Sequence, residues 1–193
     1  MKKAFLLVTI LFVSVISTAC INNFAVQELN NKAKTYLDSG DFDSAIGRLK
    51  SSIDLDSTIF ESHYNLGIAY TQAEKYPEAV ESFQKAIKLK PDFADTYYSL
   101  AVAQENYAKG VIDGSLKEKG KEQKASETSE LQSAERKLTK EEKQKVVELL
   151  NSSIESYNAY IEKGAAIKDR KDVEDKIDYL KAQIIKYSPE TIQ

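Results

Sequence analysis

The sequence predicts an all-α protein built as a helical solenoid of paired helices. Three observations carry that prediction. Breakers are scarce and charge is dense: the 193 residues hold three prolines and no tryptophan, and 30% of them are Asp, Glu, Lys or Arg, which suits helices. Apolar residues recur at three- and four-residue steps, as in Leu29, Ala33, Tyr36 and Leu37 or in Val173, Ile177, Leu180 and Ile184, the spacing of one helix face. Residue types also return at a fixed interval of 34. Tyr36 precedes Tyr70, Ala45 precedes Ala79, Leu49 precedes Phe83, Ile53 precedes Ile87 and Leu55 precedes Leu89, and then Tyr97 follows His63 and Leu100 follows Leu66. A generic helical hairpin has a 3.6-residue period and no 34-residue register, so the interval marks stacked copies of one hairpin.

Residues 1–19 read as an export signal. Lys2 and Lys3 form a charged start, Ala4 to Ile16 a short apolar run, and Ser17-Thr18-Ala19 a small-residue cleavage site. The run is too short to span a bilayer, which needs about 20 apolar residues. Its removal leaves 25 Lys and Arg against 30 Asp and Glu, a formal charge of −5. Cys20, the single cysteine, stands directly after that site. Isoleucine, three small residues and then Cys resemble the lipobox of bacterial lipoproteins, with Ser17 in place of the usual branched residue. That resemblance implies that Cys20 carries lipid (palmitate among the chains) and becomes the mature N-terminus. The other reading, ordinary cleavage, leaves a lone exported thiol with no disulfide partner. Residues 20–25 then form the lipidated Cys and a short tether. Ile21 follows where an Asp would signal inner-membrane retention, so in a two-membrane envelope the resemblance points to the periplasmic face of the outer membrane.

The first repeat is expected over 26–59. One helix carries Leu29, Ala33, Tyr36 and Leu37 and is closed by Gly40, and a second carries Ala45, Ile46, Leu49 and Ile53. The second repeat is expected over 60–93, opened by Thr58 and Glu61 in the spacing of a capping box. It reads His63-x-x-Leu66-Gly67-x-x-Tyr70, then Ala79-x-x-x-Phe83, then Pro91. This stretch closely resembles a tetratricopeptide repeat (TPR), with His63 where Trp is usual. Gly67, Ala79 and Ala86 are small where helices approach, Phe83 fills the gap between them, and Pro77 suits a first helical turn. Lys32, Ser52 and Ser57 in the first repeat depart from the pattern, as terminal repeats often do. His63 has no second His or Cys to work with in the folded body, so packing outweighs chemistry there.

A third repeat begins with a helix over 94–109 bearing Tyr97, Leu100, Ala101 and Tyr107. The register then breaks. Residues 110–139 are a charged insertion with too few apolar side chains to form a core of their own, either disordered, a helical projection or folded into the groove. Thr139 with Glu142 opens a helix over 140–164, striped by Val147, Leu150, Ile154, Tyr157 and Ile161. Tyr157 falls 40 residues beyond the place where Phe83 would recur, so this helix is read as the second half of a split third repeat. A last helix over 168–188 carries Val173, Ile177, Leu180 and Ile184 on one face and polar residues on the other, as a solenoid's capping helix requires.

No phosphate-binding glycine loop, nucleophile elbow, zincin motif or Cys/His metal spacing occurs. No catalytic residue, metal site or cofactor is expected, an enzyme is the remote alternative, and nothing is basic enough for nucleic acid. What the TPR resemblance implies instead is a groove for a protein or peptide segment. It is lined by Asn30 and Lys34, by Tyr64, Asn65 and Ile68, and by Tyr98, Val102 and Glu105. Lys34 is the only cation of the set, and Asp95 and Ser99 stand where a carboxylate clamp needs basic residues, so that clamp is not expected. The expected function is a membrane-anchored scaffold in envelope or outer-membrane complex assembly. The alternative is a fixed structural subunit of an envelope complex.

Overall fold

The computed structural model describes residues 23–116, 137–164 and 167–188. The leader, Cys20 and residues 117–136 of the insertion lie outside the described residues. Among the described residues there are seven helices and no strand: α1 over 23–38, α2 Phe42–Leu55, α3 Phe60–Gln72, α4 Tyr76–Leu89, α5 Ala94–Asp113, α6 Lys140–Glu162 and α7 Ile167–Tyr187. Helix α1 already includes residues 23–25, so the tether expected to reach 25 is shorter. The chain divides into two compact units, Met1–Pro91 and Asp92–Gln193.

In the first unit, α1 and α2 form one hairpin and α3 and α4 a second. The two hairpin turns share one geometry. Gly40 closes α1 at φ +78°, and the Asp41 N–H bonds back to the Tyr36 carbonyl at 2.9 Å. Thirty-four residues on, Glu74 takes the same left-handed conformation at φ +57°, and the Lys75 N–H bonds to the Tyr70 carbonyl at 2.8 Å. Asp41 then caps α2 by accepting from the Ser44 N–H at 3.1 Å, and the Ser44 side chain first, then this N–H, hold its carboxyl below the usual aspartate range. Pro77 stands in the first turn of α4, where a missing N–H costs nothing. Inside, Ala45, Leu49, Leu66, Ala69, Ala79, Phe83 and Ala86 are buried. A Cβ on Gly67 would stand 2.6 Å from the Phe83 ring, so that glycine is required by the α3–α4 approach.

One expected cap is absent. Thr58 does not cap α3, whose N-cap is Ile59 without a side-chain bond. Thr58 instead gives both its N–H and its hydroxyl to Asp56 Oδ1, at 2.8 and 2.6 Å. The nearby carboxylate outcompetes the helix end for the hydroxyl. His63 is buried, with Nε2 2.9 Å from the Ser57 carbonyl. That carbonyl only accepts, so Nε2 carries the proton and Nδ1 is left without a partner. Ser52, where the repeat pattern has Ala, bonds to the Ser62 hydroxyl at 2.8 Å.

In the second unit, α5, α6 and α7 surround one core of Ala101, Ala108, Val146, Leu149, Leu150, Tyr157, Tyr160, Val173, Ile177 and Leu180. The register of α5 on α6 is fixed by three side-chain bonds, each joining residues 52 apart. Ser153 donates to the Ala101 carbonyl at 2.9 Å, Ser156 to Gln104 Oε1 at 2.9 Å and the Tyr157 hydroxyl to Glu105 at 3.3 Å. Thr139 and Glu142 form the expected capping box at the start of α6.

Three boundaries and faces differ from the sequence reading. Helix α5 does not stop at 109 but runs to Asp113, closed by Gly114 at φ +74°. Gly110 is a packing glycine inside it, because Leu116 folds back so that a Cβ at 110 would meet Leu116 Cγ at 2.7 Å. Leu116 and Leu138 are half-buried, and Leu138 packs on the core, so the ends of the insertion belong to the fold. On α6 the buried face is Val146, Leu149, Leu150, Ser153, Ser156, Tyr157 and Tyr160, while Val147, Ile154 and Ile161 are half-buried. Two of the buried positions are serines whose hydroxyls are satisfied on α5, which hides them from an apolar-stripe count.

Candidate functional site

The residues expected to line a groove divide between the two units. In the first unit they lie on α1 and α3. Lys34 is exposed, and Tyr64, Asn65 and Ile68 are half-buried. Tyr64 is held from two sides, stacked on Phe60 at 5.7 Å and edge-on to Phe83 at 5.9 Å between ring centroids. Such pairs contribute about 0.5–1.5 kcal/mol each beyond area burial, so this ring is positioned before any partner arrives.

Asn30 does not present itself outward. Its Nδ2 lies 3.0 Å from the Val26 carbonyl, 2.8 Å from Ser52 Oγ and 2.9 Å from Ser62 Oγ, and its Oδ1 is 3.5 Å from Asn65 Nδ2. The amide ties α1 to α2 and α3. Its place in the repeat is that of Tyr64, but a small polar side chain turns inward where hydroxyls await it.

In the second unit the expected residues lie on α5. Tyr98 is exposed along one edge and packed on the other, 5.6 Å from Tyr157 and 5.2 Å from Tyr160. Val102 is half-buried. The contact between Tyr98 and Tyr157 repeats that between Tyr64 and Phe83. The first partner moves 34 residues and the second 74, and the difference of 40 is the offset already seen in the sequence.

Glu105 is not a groove residue. It is 4% exposed and paired twice, with Lys109 Nζ at 2.7 Å and Lys176 Nζ at 3.1 Å, while Tyr157 donates to it. Burial pushes its carboxyl up, but the bonds and charges of the two lysines outweigh that and hold it below the usual glutamate range. Burial, then the Glu105 and Tyr98 charges, raise the Tyr157 phenol far above its ordinary range. The cluster braces α5, α6 and α7. Lys109, four residues on from Glu105, was legible as a partner. Lys176, 71 residues away in another helix, was not.

No cluster of His, Cys, Asp and Glu fit to hold a metal occurs among the described residues. Nor is any described helix long and apolar enough to cross a membrane. What each unit offers is a half-exposed aromatic and a branched side chain, the aromatic backed by packed rings, suited to non-covalent contact.

The chain folds as an all-α TPR-type helical solenoid. A family model described as TPR repeat matches residues 69–106. Among solved structures, the first TPR domain of human RPAP3 aligns with a TM-score of 0.58 at 16% identity, covering 83% of this chain and 95% of that one. The first TPR of Spaghetti (RPAP3), bound to the HSP90 peptide SRMEEVD, aligns with a TM-score of 0.56 at 14% identity, covering 83% and 93%. The TPR2B domain of yeast Sti1 in a pHsp70 complex aligns with a TM-score of 0.52 at 16% identity, covering 83% and 98%. No curated protein sequence matches the chain.

Proposed function

We propose that the protein is a non-enzymatic scaffold, held on a membrane through lipid at Cys20, that binds a protein segment on the first helices of its repeats. The observation that carries this is the recurrence of a half-exposed aromatic and a branched residue four positions later: Tyr64 and Ile68 on α3, and Tyr98 and Val102 on α5. Rings held in place by packing lose little freedom on binding, which favours contact with an apolar helix face or an extended segment. The likeness to TPR domains solved with HSP90 and Hsp70 peptides supports a peptide-sized partner. The chemistry of that partner differs from an acidic chain end. Lys34 is the one cation among the expected lining residues, Asp95 is exposed, and Ser99 is half-buried. The leader-like residues 1–19 and the lipobox-like Ile16-Ser17-Thr18-Ala19-Cys20 support a site of work at the cell envelope, on the periplasmic side of the outer membrane where there are two.

The test is affinity capture from detergent-solubilised membranes, comparing the wild type with a Tyr98→Ser, Val102→Ser variant. The expected result is a protein captured by the wild type and lost, tenfold or more, with the variant at unchanged far-ultraviolet circular dichroism. A captured protein that binds both forms equally overturns this face as the site. Exchange of the bound protein on dilution separates a scaffold from a fixed subunit, which copurifies at constant stoichiometry.

A further inference from the structure

Among the described residues of the first unit, the large apolar side chains left exposed gather at one end. Phe24 is 71% exposed, Leu55 44% and Leu89 39%. Phe24 stands on the first described turn of α1, Leu55 ends α2 and Leu89 ends α4. Consecutive helices here run antiparallel, so the start of α1 and the ends of α2 and α4 share one end. Two contacts fix this: Asn30 on Ser52 at 2.8 Å, and Lys90 over the Phe60 ring at 5.1 Å, which joins the end of α4 to the start of α3. The turns at Gly40 and Glu74 lie at the opposite end.

The chain before α1 says what covers this end. Phe24 is four residues from Cys20, which is at most ~14 Å of extended chain. With the leader removed, only residues 20–22 precede the described helix, too few to shield a phenyl ring and two leucines. The headgroup layer is several Å thick on each side of a core of about 30 Å, so a ring tied this closely to a lipidated residue cannot leave the membrane surface. We infer that this end of the first unit rests on the bilayer, with Phe24, Leu55 and Leu89 in the lipid interface. The inference rests on the proposed lipidation of Cys20. Charge on this end is mixed, Lys88 and Lys90 beside Asp54 and Glu61, all exposed. Ring and leucine insertion, not attraction to anionic headgroups, therefore supplies the contact.

The chain has no tryptophan, so single-tryptophan variants report cleanly. Phe24→Trp, Leu55→Trp, Leu89→Trp and, as reference, Gln72→Trp are made in the full acylated protein. Gln72 is exposed at the far end of α3, about 20 Å away at 1.5 Å per residue. Each variant is reconstituted into phosphatidylethanolamine–phosphatidylglycerol vesicles with brominated acyl chains. Emission from positions 24, 55 and 89 should be quenched several-fold more than from 72, and unchanged by high salt. Acylated, vesicle-bound protein with equal quenching at all four positions overturns the inference and leaves the anchor standing. So does blue-shifted but unquenched emission, which means a protein covers this end instead. Protein without lipid on Cys20, which does not sediment with vesicles, removes the anchor and this inference together.

Discussion

The same substitution has opposite signs at two glycines of the first unit. At Gly67 an added methyl would stand 2.6–2.8 Å from three atoms of the Phe83 ring, which is itself buried and cannot yield. Gly67→Ala should destabilise by about 1–3 kcal/mol through overpacking, read as a lower midpoint in urea. At Gly47, exposed in the middle of α2, a Cβ meets nothing within 4 Å. Gly47→Ala should stabilise by about 0.5–1 kcal/mol by relieving the entropy cost of a helical glycine. Glu74 is a third case. It holds at φ +57° the position that Gly40 holds at +78°, and a left-handed non-glycine residue costs roughly 1–2 kcal/mol. Glu74→Gly should raise the melting temperature, and no change would show the turn relaxing by another route. Gly67 was legible in the sequence as a small residue where helices approach, and Glu74 can be placed because it falls 34 residues after Gly40. Gly47 was not, since open space around a residue is a fact of packing alone.

At the scale of elements, Glu105 joins three helices through one carboxylate. A group held below its ordinary value adds stability that is present above its unfolded value and is lost as pH falls through the folded one. The wild type should therefore shed part of its stability on acidification below the ordinary glutamate range. Glu105→Gln should cost about 1.5–3 kcal/mol at neutral pH, the worth of hydrogen bonds to charged groups, and flatten that acid limb. Urea midpoints from neutral pH downward measure both effects, and an unchanged acid limb would mean that Glu105 is already uncoupled. Element ends were legible where local chemistry had no rival. Thr139 and Thr58 both precede a glutamate at the capping spacing, yet only Thr139 caps, because Asp56 captures the Thr58 hydroxyl. The insertion offers a related test. Leu116 and Leu138 are half-buried parts of the second unit, so the replaceable stretch is the 20 residues 117–136 between them. Exchanging these for ten Gly and Ser residues halves the loop and changes closure entropy by only about 0.6 kcal/mol. Melting should be nearly unchanged, and a variant that fails to fold would tie that stretch to the core.

For the whole molecule, repetition made the fold legible and the site only half so. The repeat fixed which helices pair, down to the counterpart contacts Tyr64–Phe83 and Tyr98–Tyr157. It did not reveal which face residues are drawn inward, because Asn30 is captured by Ser52 and Ser62 and Glu105 by Lys176, all from other helices. The proposed anchor follows a similar division between local and distant causes. No described helix is long and apolar enough to cross a bilayer, and the proposed hold is lipid on Cys20 together with the few side chains beside it. Each buried CH₂ of a lipid chain contributes about 0.8 kcal/mol, and one chain alone binds only marginally. Phe24, Leu55 and Leu89, partly inserted, contribute less than the roughly 1.5–3 kcal/mol of a fully buried side chain each, short of a permanent attachment. Exchanging the leader for an ordinary cleavable one, together with Cys20→Ser, should therefore move the protein from the membrane to the soluble envelope fraction. The released protein should keep its melting temperature and bind vesicles weakly and reversibly. Wild-type protein found soluble, with an unmodified cysteine, would refute the anchor. A released variant that still sediments fully with membranes would instead place the hold in the folded body.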